Sequence, residues 1–325
     1  MKKLSIVIPV YNSENTIEEV VKEIENAVPK LNSKFELEII LVNDYSKDNS
    51  LQVCKNICKL RSFVKLISFS KNFGQENALM AGIKKASGDY IITIDDDLQT
   101  PPGEMGKLIE ELEKNNYDAV FAKYKTENKS IFRVFGSFVN DKMANIFVEK
   151  PKNIKLNTYF IIKKYIANEI IKYNHAYPYI TGLIIRITQN VGNVLVEHRD
   201  RKIGKSNYTL KKLLQLWFNG FTSFSVKPLR ISSVFGLFFS MAGFIYLLIM
   251  IVRKILNPNM QTGWTSIMAV IIFFGGIQLL SIGLIGEYIG RMFLSINGKP
   301  QYVIKETFNI DKDNKNNKNY KTRVI

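Results

Sequence analysis

The sequence predicts an α/β protein: a mainly parallel sheet in a cytosolic N-terminal region, followed by a C-terminal hairpin of two transmembrane helices. Three observations predict it. Short β-rich runs alternate with helical patterns over residues 1–125, which indicates a parallel sheet covered on both faces. Two long uncharged runs lie near the C-terminus, Ile231–Val252 and Gly263–Gly286, each of the length a spanning helix needs. Finally, a formal charge of +16 coexists with a mean hydropathy close to zero, so apolar residues must be concentrated somewhere to offset the charge.

The elements follow in order. Leu4–Val10 reads as a strand and ends in a Pro-containing turn. Asn12 or Ser13 is placed to cap a helix whose apolar face is Ile17, Val20, Val21, Ile24 and Val28, at helical spacing. Leu37–Val42 is a strand and 48–60 a helix. Val64–Phe69 is a strand and Gln75–Ala86 a helix. Tyr90–Ile94 is a strand and 103–115 a helix, and Asp118–Ala122 is another strand. Two cysteines exclude a disulfide scaffold and two histidines disfavour a His-based zinc site. Cys54 and Cys58 read as reduced structural thiols on one helix.

The ten residues between the apolar runs, Arg253–Thr262, are polar and contain Pro258, which makes a tight hairpin. Lys211, Lys212, Lys227, Arg230, Arg291, Lys299 and Lys305 flank the pair, against Arg253 and Lys254 in the loop. That asymmetry places both termini in the cytoplasm. The chain therefore reads as a two-span integral protein of the inner or plasma membrane, with no signal peptide at its N-terminus. The expected domains are 1–210 cytosolic, 211–230 an interfacial amphipathic helix, 231–286 the hairpin, and 287–325 a juxtamembrane segment with a Lys/Asn-rich disordered tail. Leu284–Ile296 reads as a second interfacial stretch.

Ligands in parallel sheets bind at the carboxyl ends of the strands, and the polar residues there are informative. The first strand runs into Pro9-Val10-Tyr11-Asn12, the second into Asn43-Asp44-Tyr45-Ser46, and the fourth into Asp95-Asp96-Asp97-Leu98-Gln99. Three consecutive acids after an apolar strand repel one another unless a cation neutralises them. Mg²⁺ and Mn²⁺ prefer such oxygen donors, commonly with substrate phosphates completing the shell. A solvated acidic turn is the alternative; the position of the acids at a strand end, in line with Asp44, favours the cation.

The order IVIPVYN, VNDYSKDNS, KNFGQENALMAGIKKASGDY and IDDDLQTPP resembles the N-terminal half of family 2 glycosyltransferases. More narrowly it resembles the polyprenyl-phosphate glycosyltransferases, and the likeness continues through HRDRKIGKSNY, FTSFSVKPLR, the two apolar runs and GEYIGR, about residues 4–305. The resemblance implies a Rossmann-like GT-A domain that binds a nucleotide-diphospho-sugar of UDP or GDP type. By analogy Pro9, Tyr11 and Glu14 lie around the nucleotide and Asp44 contacts its base. Asp95 and Asp97 match the family's DxD, and Gln99 completes the environment of a Mg²⁺ or Mn²⁺ ion. Arg201, Gly204, Ser206 and Tyr208 match an R-x-x-G-x-S-x-Y loop expected to hold lipid phosphate and donor pyrophosphate, which suits the bidentate guanidinium. Lys123 and Arg133, in a basic cluster after the fifth strand, join the acceptor side.

The activity implied is inverting transfer of the sugar to a polyprenyl phosphate on the cytosolic face, for cell-envelope glycans, with Asp95, Asp97 and Arg201 as the catalytic set. An acceptor phosphate is already anionic at neutral pH, so the lack of a His near the acids is no obstacle. A hydroxyl acceptor such as a lipid-linked saccharide would need a general base, and none is evident. A non-catalytic membrane scaffold sits badly with retention of Asp44, Asp95, Asp97, Gln99 and Arg201. No nucleic-acid-binding module is recognisable, and a homo-oligomer stays open. Two departures stand out. The Asn43–Ser46 turn lacks the Gly of many relatives, and Leu156–Phe160 lacks the acid and Arg of their Gly-Asp-Phe-Arg-Leu motif.

Overall fold

In the computed structural model, residues 1–31, 35–124, 151, 154–175, 178–197, 199, 227–256, 263–296 and 300–310 are described. The chain divides into two compact units, one formed by Met1–Asn207 with the segment from Pro300 onward, the other by Tyr208–Lys299.

The first unit is built on an eight-stranded sheet in the order β7-β5-β6-β4-β1-β2-β3-β8. Strands β1 (Lys2–Val10), β2 (Phe35–Asn43), β3 (Val64–Phe69) and β4 (Tyr90–Thr93) are mutually parallel, with β1 between β2 and β4. From Leu4 to Val10 every β1 side chain is buried, because helices cover both faces of a parallel sheet and leave no polar side. β5 (Ala119–Tyr124) runs parallel to β7 (Val191–Val196). β6 (Phe160–Lys163) is inserted antiparallel between β4 and β5, and β8 (Ile304–Phe308) pairs antiparallel with β3.

Helix α1 (Ile17–Ala27) buries Ile17, Val20, Val21 and Ile24, the stripe its spacing predicts; Val28 lies just beyond the helix and packs against the core only in part. The cap differs from expectation. Neither Asn12 nor Ser13 caps with its side chain: Thr16 is the N-cap, and the Ser13 carbonyl accepts from Thr16 N–H at 3.1 Å and Ile17 N–H at 3.0 Å. The Ser13 hydroxyl is drawn instead to Asp96, a tertiary contact invisible to local pattern. Helices α2 (Ser50–Leu60), α3 (Gln75–Lys85) and α4 (Met105–Lys114) fill the remaining crossovers. Cys54 and Cys58 are free and buried on α2. Two short helices, α5 (Lys164–Ile170) and α6 (Ile180–Ile187), lie between β6 and β7.

At the opposite end of the sheet from the strand-end acids, Glu38 on β2 is buried. Its carboxylate accepts from the Ser5 hydroxyl, from Lys65 Nζ at 2.8 Å, and from Ser87 N–H and Oγ at 2.8 Å each. Gly88 follows; a Cβ there would lie 2.7 Å from Ser5 N and 2.8 Å from Lys3 O, so only glycine allows β4 to start this close to β1.

The 287–325 segment contributes a strand that the sequence reading did not include. Tyr302 stacks on Phe69 at 5.1 Å, Lys55 pairs with Glu306 at 2.7 Å, and Asn309, at φ 53°, donates through Nδ2 to Cys58 O at 2.7 Å and Val64 O at 2.9 Å. Val303, Ile304 and the alternating polar residues of β8 look like an exposed edge, and only the neighbouring β3 makes them a strand.

In the second unit, α7 (Lys227–Leu256) contains the first predicted apolar run, and α8 (Trp264–Ile296) contains the second apart from Gly263. Phe239 packs edge-on against Phe273 at 6.1 Å and Phe274 at 5.9 Å. Large apolar side chains such as Leu237, Phe244, Ile271 and Ile282 face outward, an arrangement that water disfavours and hydrocarbon accepts. Among the described residues, Phe273–Gly290 is long and apolar enough to cross a membrane, and Val234–Tyr246 is a shorter apolar stretch. Leu284–Ile296 continues α8 as one helix. The expected interfacial helix over 211–230 falls mostly outside the described residues, as does the Lys/Asn-rich tail.

Candidate active site

Three strand ends converge. β1, β2 and β4 are adjacent and parallel, so the loops leaving Val10, Asn43 and Thr93 lie side by side. Pro9 is buried in β1 opposite Val42. Tyr11 and Tyr45 follow neighbouring strand ends and are 42% and 46% exposed. Tyr45 has φ 59°. The left-handed conformation there gives a physical reason for glycine at this turn in many relatives.

Asp44 is buried, and its carboxylate accepts from Phe73 N–H at 2.7 Å and Gly74 N–H at 2.8 Å. Burial raises its pKa, and the two N–H donors offset part of the rise. Asn72 Nδ2 donates to the Asp44 carbonyl at 3.2 Å. Asp44 therefore clamps the loop before α3, where Gly74 adopts φ 91°. Glu14 turns toward α2: its Oε2 accepts from Asn49 N–H at 2.8 Å, a favourable place for a carboxylate at a helix N-terminus.

The three consecutive acids face three different sets of partners. Asp95 Oδ1 accepts from Gln75 Nε2 at 2.9 Å, and its Oδ2 from Thr158 Oγ1 at 3.3 Å. Asp96 Oδ2 accepts from Tyr11 N–H at 2.9 Å and from the Ser13 hydroxyl. Asp97 Oδ1 accepts from Gln99 N–H at 3.1 Å, in a turn that passes through Leu98 at φ 61°. Burial pushes the Asp95 carboxyl up to about 7, helped by the charges of Asp97 and Asp96. Asp96 rises to about 6, mainly through burial, against the pull of Ser13 and Tyr11. Buried carboxylates that repel one another in this way are stabilised by a cation. Asp95 and Asp97 are near enough for the charge of Asp97 to raise the Asp95 carboxyl, and with Gln99 they offer oxygen donors of the type that Mg²⁺ and Mn²⁺ prefer. Among the described residues no three acidic, His or Cys side chains form a closed metal cage.

Lys123 is exposed near the end of β5. Beside it the Tyr124 hydroxyl shares a 2.8 Å hydrogen bond with Thr100. Arg133, Arg201, Gly204, Ser206, Tyr208 and His198 lie outside the described residues. The nearby Arg199 donates its backbone N–H to the Gln99 carbonyl at 2.7 Å and pairs with Glu23 at 2.8 Å, which brings the start of the basic segment to the acidic turn. His175 packs against Tyr173, and its carbonyl accepts from Gln301.

Sequence reasoning assigned no site role to Gln75, Ser13, Asp96 or Thr158. Gln75 lies within the quoted KNFGQ run, and Thr158 within the stretch that departs from the Gly-Asp-Phe-Arg-Leu motif; both were visible, but neither had an assigned partner.

Comparison with known proteins places these features in a family. The glycosyl transferase family 2 profile matches residues 5–171, and the GtrB C-terminal hairpin profile matches residues 227–292. The chain belongs to glycosyl transferase family 2; it is a glycosyltransferase with a GT-A fold and a C-terminal hairpin of the GtrB kind. It is 32% identical to the uncharacterized glycosyltransferase YkcC of Bacillus subtilis, over 94% of this chain and 94% of that protein. It is 31% identical to the undecaprenyl-phosphate 4-deoxy-4-formamido-L-arabinose transferase of Proteus mirabilis, over 97% of both. Among solved structures, glucosyl-3-phosphoglycerate synthase from Mycobacterium tuberculosis with UDP superimposes at a TM-score of 0.49 and 18% identity, covering 65% of this chain and 75% of that one.

Proposed function

We propose that this glycosyltransferase is anchored in the inner or plasma membrane by its hairpin and moves a sugar from a nucleotide-diphospho-sugar to a polyprenyl phosphate on the cytosolic face. The observation that carries the reading is the placement of Asp44 after β2 and of Asp95 and Asp97 after β4, the two strands that flank β1, in a family 2 chain with a hairpin of outward-facing apolar helices. Full-length similarity to the Proteus transferase, named for undecaprenyl phosphate, supports the acceptor class.

In this reading the nucleotide lies along the Tyr11–Ser13 and Asp44–Ser46 loops, with the exposed Tyr11 and Tyr45 rings beside it. Asp95, Asp97 and the Gln99 side-chain oxygen would hold a divalent cation, Mg²⁺ or Mn²⁺. When bound, that ion offsets the charge that develops on the departing diphosphate. Gln75 and Thr158 fix the direction of the Asp95 carboxylate. The basic segment from Arg199 through Arg201, Ser206 and Tyr208, with Lys123 and Arg133, receives the acceptor phosphate. An oxygen of that phosphate attacks the anomeric carbon as the bond to the diphosphate oxygen breaks; the products are an inverted polyprenyl-phospho-sugar and a nucleoside diphosphate. The attacking oxygen is already ionised near neutral pH, so no side chain has to remove a proton.

The test is a donor screen. Membranes containing the full chain are incubated with labelled UDP- and GDP-sugars and polyprenyl phosphate, with Mg²⁺ or Mn²⁺ and with a chelator. Label is expected in the lipid phase only with the cation. Asp97→Asn is expected to lower transfer by at least about 100-fold, the scale seen when charge stabilisation is removed from a transition state, while leaving the melting temperature unchanged. Transfer that survives both chelation and the substitution overturns the metal assignment. Failure with every donor overturns the acceptor and donor classes.

A further inference from the structure

Asp96 stands between the two acids of the DxD pattern, yet its carboxylate turns away from them. Its Oδ2 receives both the Tyr11 N–H at 2.9 Å and the Ser13 hydroxyl, and its carbonyl receives Thr16 Oγ1 at 2.7 Å. Positions 11, 13 and 16 of the loop after β1 are thus all tied to a single residue of the loop after β4. Between the first two contacts the chain turns through Asn12, at φ 55°, whose Oδ1 accepts from Lys47 N–H at 2.8 Å and whose N–H donates to Ser46 Oγ at 3.0 Å. The Asp44–Ser46 turn is therefore fastened to the same loop. Asparagine is one of the few non-glycine residues that adopt this left-handed conformation readily. The neighbours of Asp96 on either side, Asp95 and Asp97, are held by unrelated groups.

We propose that Asp96 is a positioning residue that sets the donor-nucleotide loop, Tyr11–Ser13, in register with the cation-holding pair Asp95 and Asp97. It acts as the acceptor of two hydrogen bonds rather than as a ligand of the cation. The inference rests on the proposed placement of the nucleotide along that loop.

The acceptor role distinguishes two substitutions. Because both donors converge on one oxygen, Asp96→Asn can present its amide oxygen at the same place and keep both bonds, whereas Asp96→Ala loses them. The full chain in detergent is compared as wild type, Asp96→Asn, Asp96→Ala and Ser13→Ala. Binding of UDP and GDP is measured by calorimetry with and without Mn²⁺, alongside steady-state transfer and thermal melting. Asp96→Ala is expected to weaken nucleotide binding, and to raise the donor KM, by about tenfold or more, the scale of losing hydrogen bonds to a charged acceptor. Asp96→Asn is expected to stay within about threefold of wild type, with the same Mn²⁺ midpoint, and Ser13→Ala to fall between. The acceptor KM should not move in any variant.

Equal loss in Asp96→Asn and Asp96→Ala, with a shifted Mn²⁺ midpoint, would overturn the proposal in favour of a direct ligand. Nucleotide binding unchanged in Asp96→Ala, or a fall in melting temperature alone, would reduce Asp96 to a structural residue and also overturn it. If Asp96→Ala does not fold, Ser13→Ala decides: an unchanged nucleotide affinity there refutes the linkage. Absence of nucleotide binding by the wild-type protein would instead defeat the underlying placement of the donor, and the proposal with it.

Discussion

The Glu38 cluster allows one consequence to be worked in full. Burial alone would raise the Glu38 carboxyl, but hydrogen bonds from Lys65, Ser5 and Ser87 more than offset it and hold the group down to about 2, against an ordinary 4.5. The folded state therefore binds this proton more weakly than the unfolded chain. The sign follows: Glu38 contributes its full stability above about pH 4.5, and that contribution is lost as pH falls from there toward 2. At about 1.4 kcal/mol for each tenfold change in proton affinity, the contribution is about 3 kcal/mol. Glu38→Gln should remove a similar amount at pH 7, since it leaves Lys65 without its anion and makes one Ser87 donor face an amide. For a domain of this size a kcal/mol corresponds to about 2–4 °C, so the melting temperature should drop by roughly 6–12 °C. The assay is thermal unfolding of the full chain in detergent, followed by near-UV circular dichroism, at steps from pH 7 to pH 3. Wild type should lose stability more steeply below pH 4.5 than Glu38→Gln, and the two curves should approach one another. A variant that melts within 2 °C of wild type at pH 7, or one that keeps the wild-type acid slope, would refute the reasoning.

Other perturbations follow from the same contacts. Gly88→Ala forces a Cβ against the Ser5 and Lys3 backbone, and should cost about 1–3 kcal/mol, read as a lower melting temperature. Asn309→Ala removes the hydrogen bonds to Cys58 O and Val64 O and places alanine at positive φ. It should lower stability by about 1–2 kcal/mol and speed amide hydrogen exchange in β8 before the other strands. Exchange that rises uniformly across the sheet would argue against a local clamp.

Much of the first unit was legible in the sequence, and particular residues show why. Val64–Phe69 was read with its observed bounds, and the Ile17, Val20, Val21, Ile24 stripe is the buried face of α1. Each depends on local periodicity, which burial imposes directly. β6 (Phe160–Lys163) escaped because its antiparallel place between β4 and β5 is a long-range pairing. β8 escaped because its side chains alternate between exposed and half-buried at the sheet edge. Ser13 has the chemistry of an N-cap but bonds to Asp96, eighty-three residues away.

By itself the sequence determined the alternation of strands and helices, the acids at the strand ends and the two apolar helices, because hydrophobic periodicity and uncharged length are local properties. Only the tertiary structure decided how three neighbouring carboxylates divide their work. Asp95 turns to Gln75 and Thr158, Asp96 to Tyr11 and Ser13, and Asp97 to its own turn. The composition of DDD is the same whichever way its side chains point. Their directions are set by the donors that distant segments bring to the end of β4, and a buried carboxylate settles where those hydrogen bonds repay its desolvation.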